Sequence, residues 1–578
     1  MRSRTAPRAI VTIAVAGLIA AGCQRGPSKE SAVKASLERT LAQPRPPYVT
    51  ADAEGRKLWK LTQQFYERRQ REPAWIDGTA PAPHVAELIT ALNAAIDEGL
   101  DPHLYNATLL EQKRHAASKG FLSKKGFEPA EGGQHDVWLT YLYLKYASDL
   151  ADGLSDLAHA DATWQIRPEK FDPAAHLENA LTSNKVEKSL RDLAPGDSQY
   201  QALRRALADY RALAAKGGWA PLPRTLRLSK SQTSRAAGLI ARRLAASGDY
   251  SGAVPGADGI APYSVELQEA VKRFQRRHGL TDDGIISPAV IAEMNVPAEQ
   301  RVAEIALNME RWRWLPRDLG DRYILVNIPE YRLEVWDHGQ VPLAMRVVVG
   351  KQDTQTPIFT DQMTHVVFSP YWNVPPGIAQ GETLPEVLKD PGFLARNNME
   401  VLGPDGQPID PASIDLSEPT RYKFRQRPGA QNSLGLVKFM FPNQYNVYLH
   451  DTPADSLFAR ASRSFSHGCV RLENPLALAQ YVLRDQPDWT KEKIEEAMHA
   501  EEERTVKLRS AIPVYLGYWT ARASSDGVLQ FRRDVYGIDS RLSRLLAERL
   551  SRLRKSAAAA ASSANRTSAS PASGSSIE

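Results

Sequence analysis

Cysteine is almost missing from this chain. Its 578 residues contain two, Cys23 and Cys469. One lies beside the N-terminus and the other deep in the chain, so a disulfide framework is excluded. A Cys-rich structural zinc site is excluded as well, because it needs three or four cysteines or a close Cys/His set. Beyond the N-terminus there is no stretch of about 18 apolar residues, which rules out a membrane-spanning body. There is no RNP-type signature, no Cys/His finger and no dense basic block in the body, so nothing calls for nucleic acid. Charge of one sign is hardly in excess: 73 Lys and Arg against 67 Asp and Glu give +6. What is present is enough to fold. With 42% hydrophobic and 24% charged residues the chain can bury real cores, and its length allows roughly three or four domains.

The N-terminus reads as a targeting segment. Arg2, Arg4 and Arg8 precede an uncharged run, Ala9 to Ala21, that is too short to span a bilayer. Residues 1–22 therefore read as a secretory signal peptide. Leu18-Ile19-Ala20-Ala21-Gly22-Cys23 resembles a bacterial lipobox, with Ala20 where Leu is commoner. The resemblance makes Cys23 the lipid attachment site, each buried methylene adding about 0.8 kcal/mol of membrane affinity. Gln24 rather than Asp at the next position favours, by resemblance to sorted lipoproteins, the outer membrane. The expected location is the periplasmic side of a cell envelope, with the membrane as partner through the lipid. The plainer alternative is cleavage near Gly22 and release of a soluble protein. Either way, the body is left with one thiol, and an exported protein that keeps one needs a reason.

The body divides by periodicity. Residues 23–54 are polar and Pro-bearing and read as a lipid-anchored tether. Helical stripes such as Val85, Leu88, Ile89, Leu92 and Leu139, Leu142, Tyr146, Leu150 mark 55–222 as an α-helical scaffold domain. Residues 225–297 form a smaller helical unit. Its strings Leu267–Gln275, His278-Gly279-Leu280 and Asp283-Gly284-Ile285 resemble the small three-helix peptidoglycan-binding module; the alternative is a helical hairpin that only packs on its neighbours. From Tyr323 short β-branched runs take over, and 320–540 reads as a mostly antiparallel β domain. Its pattern breaks at about 381–432 into a polar insertion, expected to be a lid over a cleft. Residues 541–554 read as a basic helix and 555–578, rich in Ala and Ser, as a disordered tail. The fold class is thus multidomain α+β.

Chemistry concentrates in two segments, Tyr448-Leu449-His450-Asp451 and Ser466-His467-Gly468-Cys469-Val470-Arg471. A thiol attacks as thiolate, and an unperturbed one is only a few per cent ionised near pH 7. A neighbouring imidazole would correct this by taking the proton, and His450 and His467 are the candidates. Gly468 clears space for a substrate carbonyl, and the Cys469 amide could help bind an oxyanion, with Ser466 in support. Arg471 shares a strand face with Cys469 and could hold a carboxylate in a two-pronged contact. Each residue alone has an ordinary structural explanation; their conjunction favours a site. A zinc site from His450, His467 and Cys469 lacks an evident fourth ligand.

The spacing of His450, sixteen intervening residues and then Ser-His-Gly-Cys closely resembles the signature of the L,D-transpeptidase (YkuD-type) family. Glu310-Arg311-Trp312-Arg313-Trp314, Tyr371–Pro376, Gly435–Asn443 and Leu449–Pro453 agree with it. Scaffold, peptidoglycan-binding module and lid-bearing catalytic domain occur in the order of its large members. Many smaller members carry Asn where this chain has Arg471. The resemblance implies that Cys469 attacks the third residue of a peptidoglycan tetrapeptide stem, expels D-Ala and passes the acyl group to an amine of another stem, giving a 3→3 cross-link. His450 is then the base and later the acid, His467 an orienting residue, and Tyr448 part of the pocket. Stem peptides are the expected partners, carbapenem-type β-lactams the expected inhibitors, and no metal or organic cofactor is implied. Two alternatives stay open: a hydrolase that uses the same Cys/His pair with water as acceptor, and a non-catalytic, lipid-anchored wall-binding protein.

Overall fold

A computed structural model describes residues 28–77, 80–115, 128–154, 164–228, 233–257, 259–390, 392–414, 421–524 and 527–567. The segment read as a signal peptide (1–22), Cys23 and residues 568–578 lie outside the described residues.

The scaffold is organised around α4 (Pro129–Asp152), which follows α1 (Lys29–Leu41), α2 (Ala53–Arg68) and α3 (His84–Asn93). Its tyrosines and leucines are buried on every side from Val137 to Leu150, so it is a central helix rather than an amphipathic surface one. Asp136 at its start is buried. Its carboxylate accepts hydrogen bonds from the Tyr66 hydroxyl at 2.5 Å and from the backbone N–H groups of Ala74 and Trp75 at 2.9 and 2.8 Å. One side chain thus fixes α2 and the following loop on α4.

The tether expectation is corrected here. Ser28 caps α1, accepting from the Ser31 N–H, and Val33 and Leu37, one turn apart, bury themselves on α4. The approach is close enough that a Cβ at Gly133 would lie 2.1 Å from the Leu37 nitrogen and 2.4 Å from the Val33 oxygen. Val49 is buried as well, so the folded body already includes much of the segment read as tether. Its polar average hid a short i, i+4 apolar pair.

The small module packs three helices, Arg235–Ala246, Val265–Arg277 and Pro288–Met294, around Ile240, Leu244, Leu267, Val271, Phe274, Ile291 and Met294. His278 at its edge stacks between Phe274 and Phe531, which seats the module against the C-terminal part of the chain. The helix Ala298–Arg313 then leads into the β domain. Here the Glu310–Trp314 string works as a joint. Glu310 accepts from Arg313 and from the Trp314 indole at 2.9 Å, while fully buried Arg313 donates to the Glu98 carbonyl at 3.0 Å and the Tyr200 hydroxyl at 2.8 Å in the scaffold.

Among the described residues the main sheet of the β domain has nine strands: β1 (Arg322–Asn327), β2 (Arg332–Asp337), β3 (Gln340–Gly350), β4 (Phe359–Phe368), β5 (Val437–Met440), β6 (Leu449–His450), β7 (Ser464–Ser466), β8 (Val470–Leu472) and β9 (Arg504–Gly517). They pair in the order β7-β3-β8-β6-β5-β4-β9-β1-β2, and β2 pairs again with β3, so the sheet returns on itself. Antiparallel pairs predominate as expected, but β6–β8, β9–β1 and β7–β3 are parallel. The parallel β6–β8 pair is the one that matters for the site.

The insertion is a small unit of its own. Strands Pro408–Ile409, Met399–Leu402, Lys423–Gln426 and Trp372–Asn373 pair in that order into a four-stranded sheet around Val374, Leu394, Val401 and Phe424. It therefore begins near Tyr371, earlier than the break in strand pattern suggested, because its first strand pairs with its last. At the C-terminus a helix runs Ile538–Thr567. Leu542 is buried, and the Arg549 guanidinium donates to Glu54 of α2 at 2.6 Å, so the basic helix docks on the chain's own scaffold. This helix overlaps residues 555–567 of the segment read as a disordered tail, whose alanine run is also the best helix-forming composition.

Candidate active site

The register of three neighbouring strands builds the site. Lys438 of β5 lies opposite His450 of β6, and His450 lies beside Arg471 of β8. Side chains alternate faces along a strand, so Lys438, His450 and Arg471 form one row on one face. Two residues back, on the same face, Tyr448 and Cys469 form the next row. The alternating residues Val437, Phe439, Leu449 and Val470 point into the core and are buried. Hydrophobic alternation thus fixes which face carries the polar groups.

The loop before Cys469 is held by hydroxyls. The Ser466 hydroxyl donates to the Cys469 carbonyl at 2.5 Å and accepts from the Gly468 N–H at 3.1 Å. Thr356 donates to the Gly468 carbonyl at 2.8 Å. Gly468 has φ +119°, a conformation in which an L side chain is strained. Both residues therefore shape the turn. Ser466 is 2% exposed, so it supports the loop rather than facing a substrate, and the Cys469 N–H, not that of Gly468, is left for an oxyanion.

Cys469 is half-buried. Its sulfur lies 3.8 Å from the carbonyl oxygen of Asn446, a residue at φ +54°. The turn that presents this oxygen is shaped by the Asn443 amide, which donates to the Phe441 and Val447 carbonyls and accepts from the Tyr445 N–H. Burial pushes the thiol up to about 11, against hydrogen bonds from the Tyr448 backbone and hydroxyl that favour the thiolate. Burial and the adjacent sulfur hold the Tyr448 phenol protonated. Its hydroxyl is thus a donor beside the Cys469 sulfur.

His450 is 4% exposed. Burial, and then the neighbouring Arg471, bring its imidazole down to about 3, with Lys438 adding to the effect. Nδ1 lies 2.6 Å from the Asp451 carbonyl oxygen, and as a carbonyl only accepts, Nδ1 carries the proton. The ring is neutral, and it meets the Tyr448 ring edge-on at 5.7 Å. The sequence implied a direct thiol–imidazole contact. The hydrogen bonds of the two groups go elsewhere: His450 to the backbone of Asp451 and Leu434, Cys469 to Asn446 and Tyr448. The pair sits one side-chain row apart with Tyr448 alongside both. Two flanking cations and a dry environment disfavour an imidazolium, so at rest the proton stays on sulfur.

Arg471 is half-buried, its charged form disfavoured by burial, and its Nε has no hydrogen-bond partner among the described residues. A buried guanidinium without a carboxylate is a ready anion site. His467 does not join this face. Its Nε2 lies 2.7 Å from Glu382 of the insertion, both being partly exposed. Lys438 and Glu382 were missed in the sequence. Lys438 was legible in principle, as the polar alternate in Val437-Lys438-Phe439. Glu382 carries no local signal; only the folded insertion brings it to His467 and the loop before Cys469. Among the described residues, no group of three or more His, Cys, Asp or Glu is arranged to hold a metal.

Comparison with known proteins follows the same division. Residues 321–495 match the model of the YkuD family, "L,D-transpeptidase catalytic domain"; 60–207 match "Scaffold domain", and 236–294 "Putative peptidoglycan binding domain". A curated relative from Haemophilus influenzae, named "Putative L,D-transpeptidase", is 34% identical over 241 residues, 41% of this chain and 48% of the relative. The chain thus spans about half the length of that relative. Among solved structures, an L,D-transpeptidase from Mycobacterium smegmatis shows 16% identity and a TM-score of 0.17, with 34% of this chain and 58% of that one covered. One from Xylanimonas cellulosilytica shows 13% identity and a TM-score of 0.17, covering 52% and 100%. The chain carries a scaffold domain, a peptidoglycan-binding domain and, around Cys469, a catalytic domain of the YkuD L,D-transpeptidase family.

Proposed function

We propose that this protein is an acyltransferase that forms 3→3 cross-links in peptidoglycan through a Cys469 acyl-enzyme. The observation that carries the proposal is the shared face of β6 and β8, where a thiol, a phenol donor, a neutral imidazole and an unpaired guanidinium lie in two adjacent rows. The sulfur attacks the carbonyl of the third stem residue while its proton passes to His450. The C–N bond to D-Ala then breaks, His450 returns the proton to the leaving amine, and a thioester remains. The side-chain amine of a second stem attacks it, the C–S bond breaks, and the thiol is restored. One amide replaces another, so no ATP is used. The Cys469 N–H is aimed at the oxyanion.

Arg471 binds a free carboxylate of the donor stem. This binding also explains how a reluctant base becomes competent. Burial holds the imidazole down first and Arg471 second; a carboxylate on Arg471 offsets the second of these influences, so donor binding raises the basicity of His450. Hydrogen bonds that are long in a resting site tighten in the complex. Carbapenem-type β-lactams, as strained acyl donors, acylate the same sulfur. Lipid attachment at Cys23 and an outer-membrane anchor, facing the periplasm, complete the proposal.

The test is incubation with disaccharide-tetrapeptides and product analysis by mass. Wild-type protein gives cross-linked dimers. Cys469→Ala gives none yet still binds sacculi. Retained turnover in Cys469→Ala would remove the thiol mechanism, and tripeptides without dimers would make the enzyme a hydrolase.

A further inference from the structure

Two imidazoles border the nucleophile, and their settings differ. His450 is buried, fixed by a backbone carbonyl and flanked by Lys438 and Arg471. His467, two residues before Cys469 and off the face that carries His450, is exposed and held by a carboxylate from another structural unit. Glu382 belongs to a single π-helical turn, Ala379–Thr383, set between short α-helical pieces of the insertion. Such turns are uncommon and re-aim side chains at functional sites. The charges are unevenly placed: on the sheet face Lys438 lies 3.7 Å from the Glu503 carboxylate while Arg471 has no carboxylate partner among the described residues, and the insertion brings the Glu382 carboxylate to His467.

This arrangement matches an unassigned need of the second half-reaction. The acceptor amine arrives as an ammonium and cannot attack a thioester until it loses a proton. The Arg471 end, whose guanidinium has no carboxylate partner among the described residues, repels a cation, whereas the Glu382 end attracts one. A carboxylate bound to Nε2 keeps the proton on that nitrogen and leaves Nδ1 basic, the relation by which an acid orients a general-base histidine.

We propose that Glu382 and His467 form a dyad, completed by the insertion, that deprotonates the acceptor ammonium and so directs the acyl group to an amine rather than to water. The inference rests on the acyltransferase reading above. The step balances as follows. The ammonium gives one proton to His467 Nδ1. The free amine attacks the thioester carbon, a C–N bond forms and the C–S bond breaks. The second N–H proton goes to the departing sulfur, which re-forms the Cys469 thiol, and His467 releases its proton to solvent. His467 is the catalytic residue of this step and Glu382 its positioning residue.

The experiment compares wild type, Glu382→Gln and Glu382→Asp in three measurements: acylation of Cys469 by a carbapenem, transfer from a tetrapeptide donor to a stem amine, and transfer to hydroxylamine, which is unprotonated at neutral pH. Glu382→Gln is expected to slow transfer to the stem amine by about 10²-fold, the lower end of general-base effects, and to raise the ratio of tripeptide to dimer. Acylation and transfer to hydroxylamine should stay within about twofold, and Glu382→Asp should recover part of the loss. Equal losses with both acceptors, or an unchanged product ratio, would overturn the dyad. A wild-type protein that is never acylated would instead refute the acyltransferase reading itself.

Discussion

The Tyr448 hydroxyl sits on the sulfur of Cys469, and removing it should be felt at that sulfur. A hydrogen bond to a charged group contributes about 1.5–3 kcal/mol, and one pKa unit corresponds to about 1.4 kcal/mol. Tyr448→Phe should therefore lift the thiol by about one to two further units and cut the thiolate population at fixed pH by about 10- to 100-fold. The wild-type thiol already stands at about 11 because of burial. An ordinary thiol titrates near about 8.5, so at pH 8 Cys469 should alkylate about two orders of magnitude more slowly than a free cysteine. The assay is iodoacetamide labelling from pH 6 to 11 with peptide mass analysis, which separates Cys469 from Cys23. The expected wild-type rate climbs through pH 9 without a plateau, and the Tyr448→Phe curve lies below it throughout. A wild-type midpoint near 8.5, or coincident curves for the two proteins, would refute the assignment of burial and Tyr448 as the controlling influences.

Other outcomes follow from the same geometry. Arg471→Gln should weaken donor binding and raise the His450 imidazole from its depressed position, seen as a higher KM for tetrapeptide and a shifted imidazole titration by NMR. The depressed His450 also makes stability pH-dependent. Between about 6.5 and about 3 the unfolded imidazole binds a proton that the folded one refuses. Stability from this group is therefore present above about pH 6.5 and lost on acidification, and His450→Gln should flatten that part of the Tm–pH curve. Gly133→Ala places a methyl against the α1 backbone and should destabilise the scaffold by about 1–3 kcal/mol. A lower thermal midpoint and faster proteolysis around residues 28–50 would register it.

The sequence made much of the catalytic face legible because that face depends on local alternation and on residue types with few uses. Cys469, His450, Tyr448 and Arg471 all fall on it. Spacing could not reveal the β6–β8 pairing that sets Tyr448 rather than His450 beside the sulfur. That is a matter of parallel register between segments whose separation in the chain says nothing of alignment. Composition misled at the N-terminal end. Residues 29–41 are polar on average yet carry the Val33–Leu37 pair that docks on α4. The alanine run after residue 555 overlaps a helix that runs to Thr567. The insertion was visible as a break in strand pattern, but its own sheet and the contact of Glu382 with His467 arise only when distant strands pair.

The account stands on covalent attachment to one sulfur. Rapid-quench reaction of the full chain with a tetrapeptide donor, followed by digestion and mass analysis, observes this directly. The account predicts a transient increase on the peptide containing Cys469, equal to the donor less its terminal D-Ala, that forms and decays at the rate of turnover. Turnover with that peptide unmodified, or with the adduct on another side chain, would contradict it.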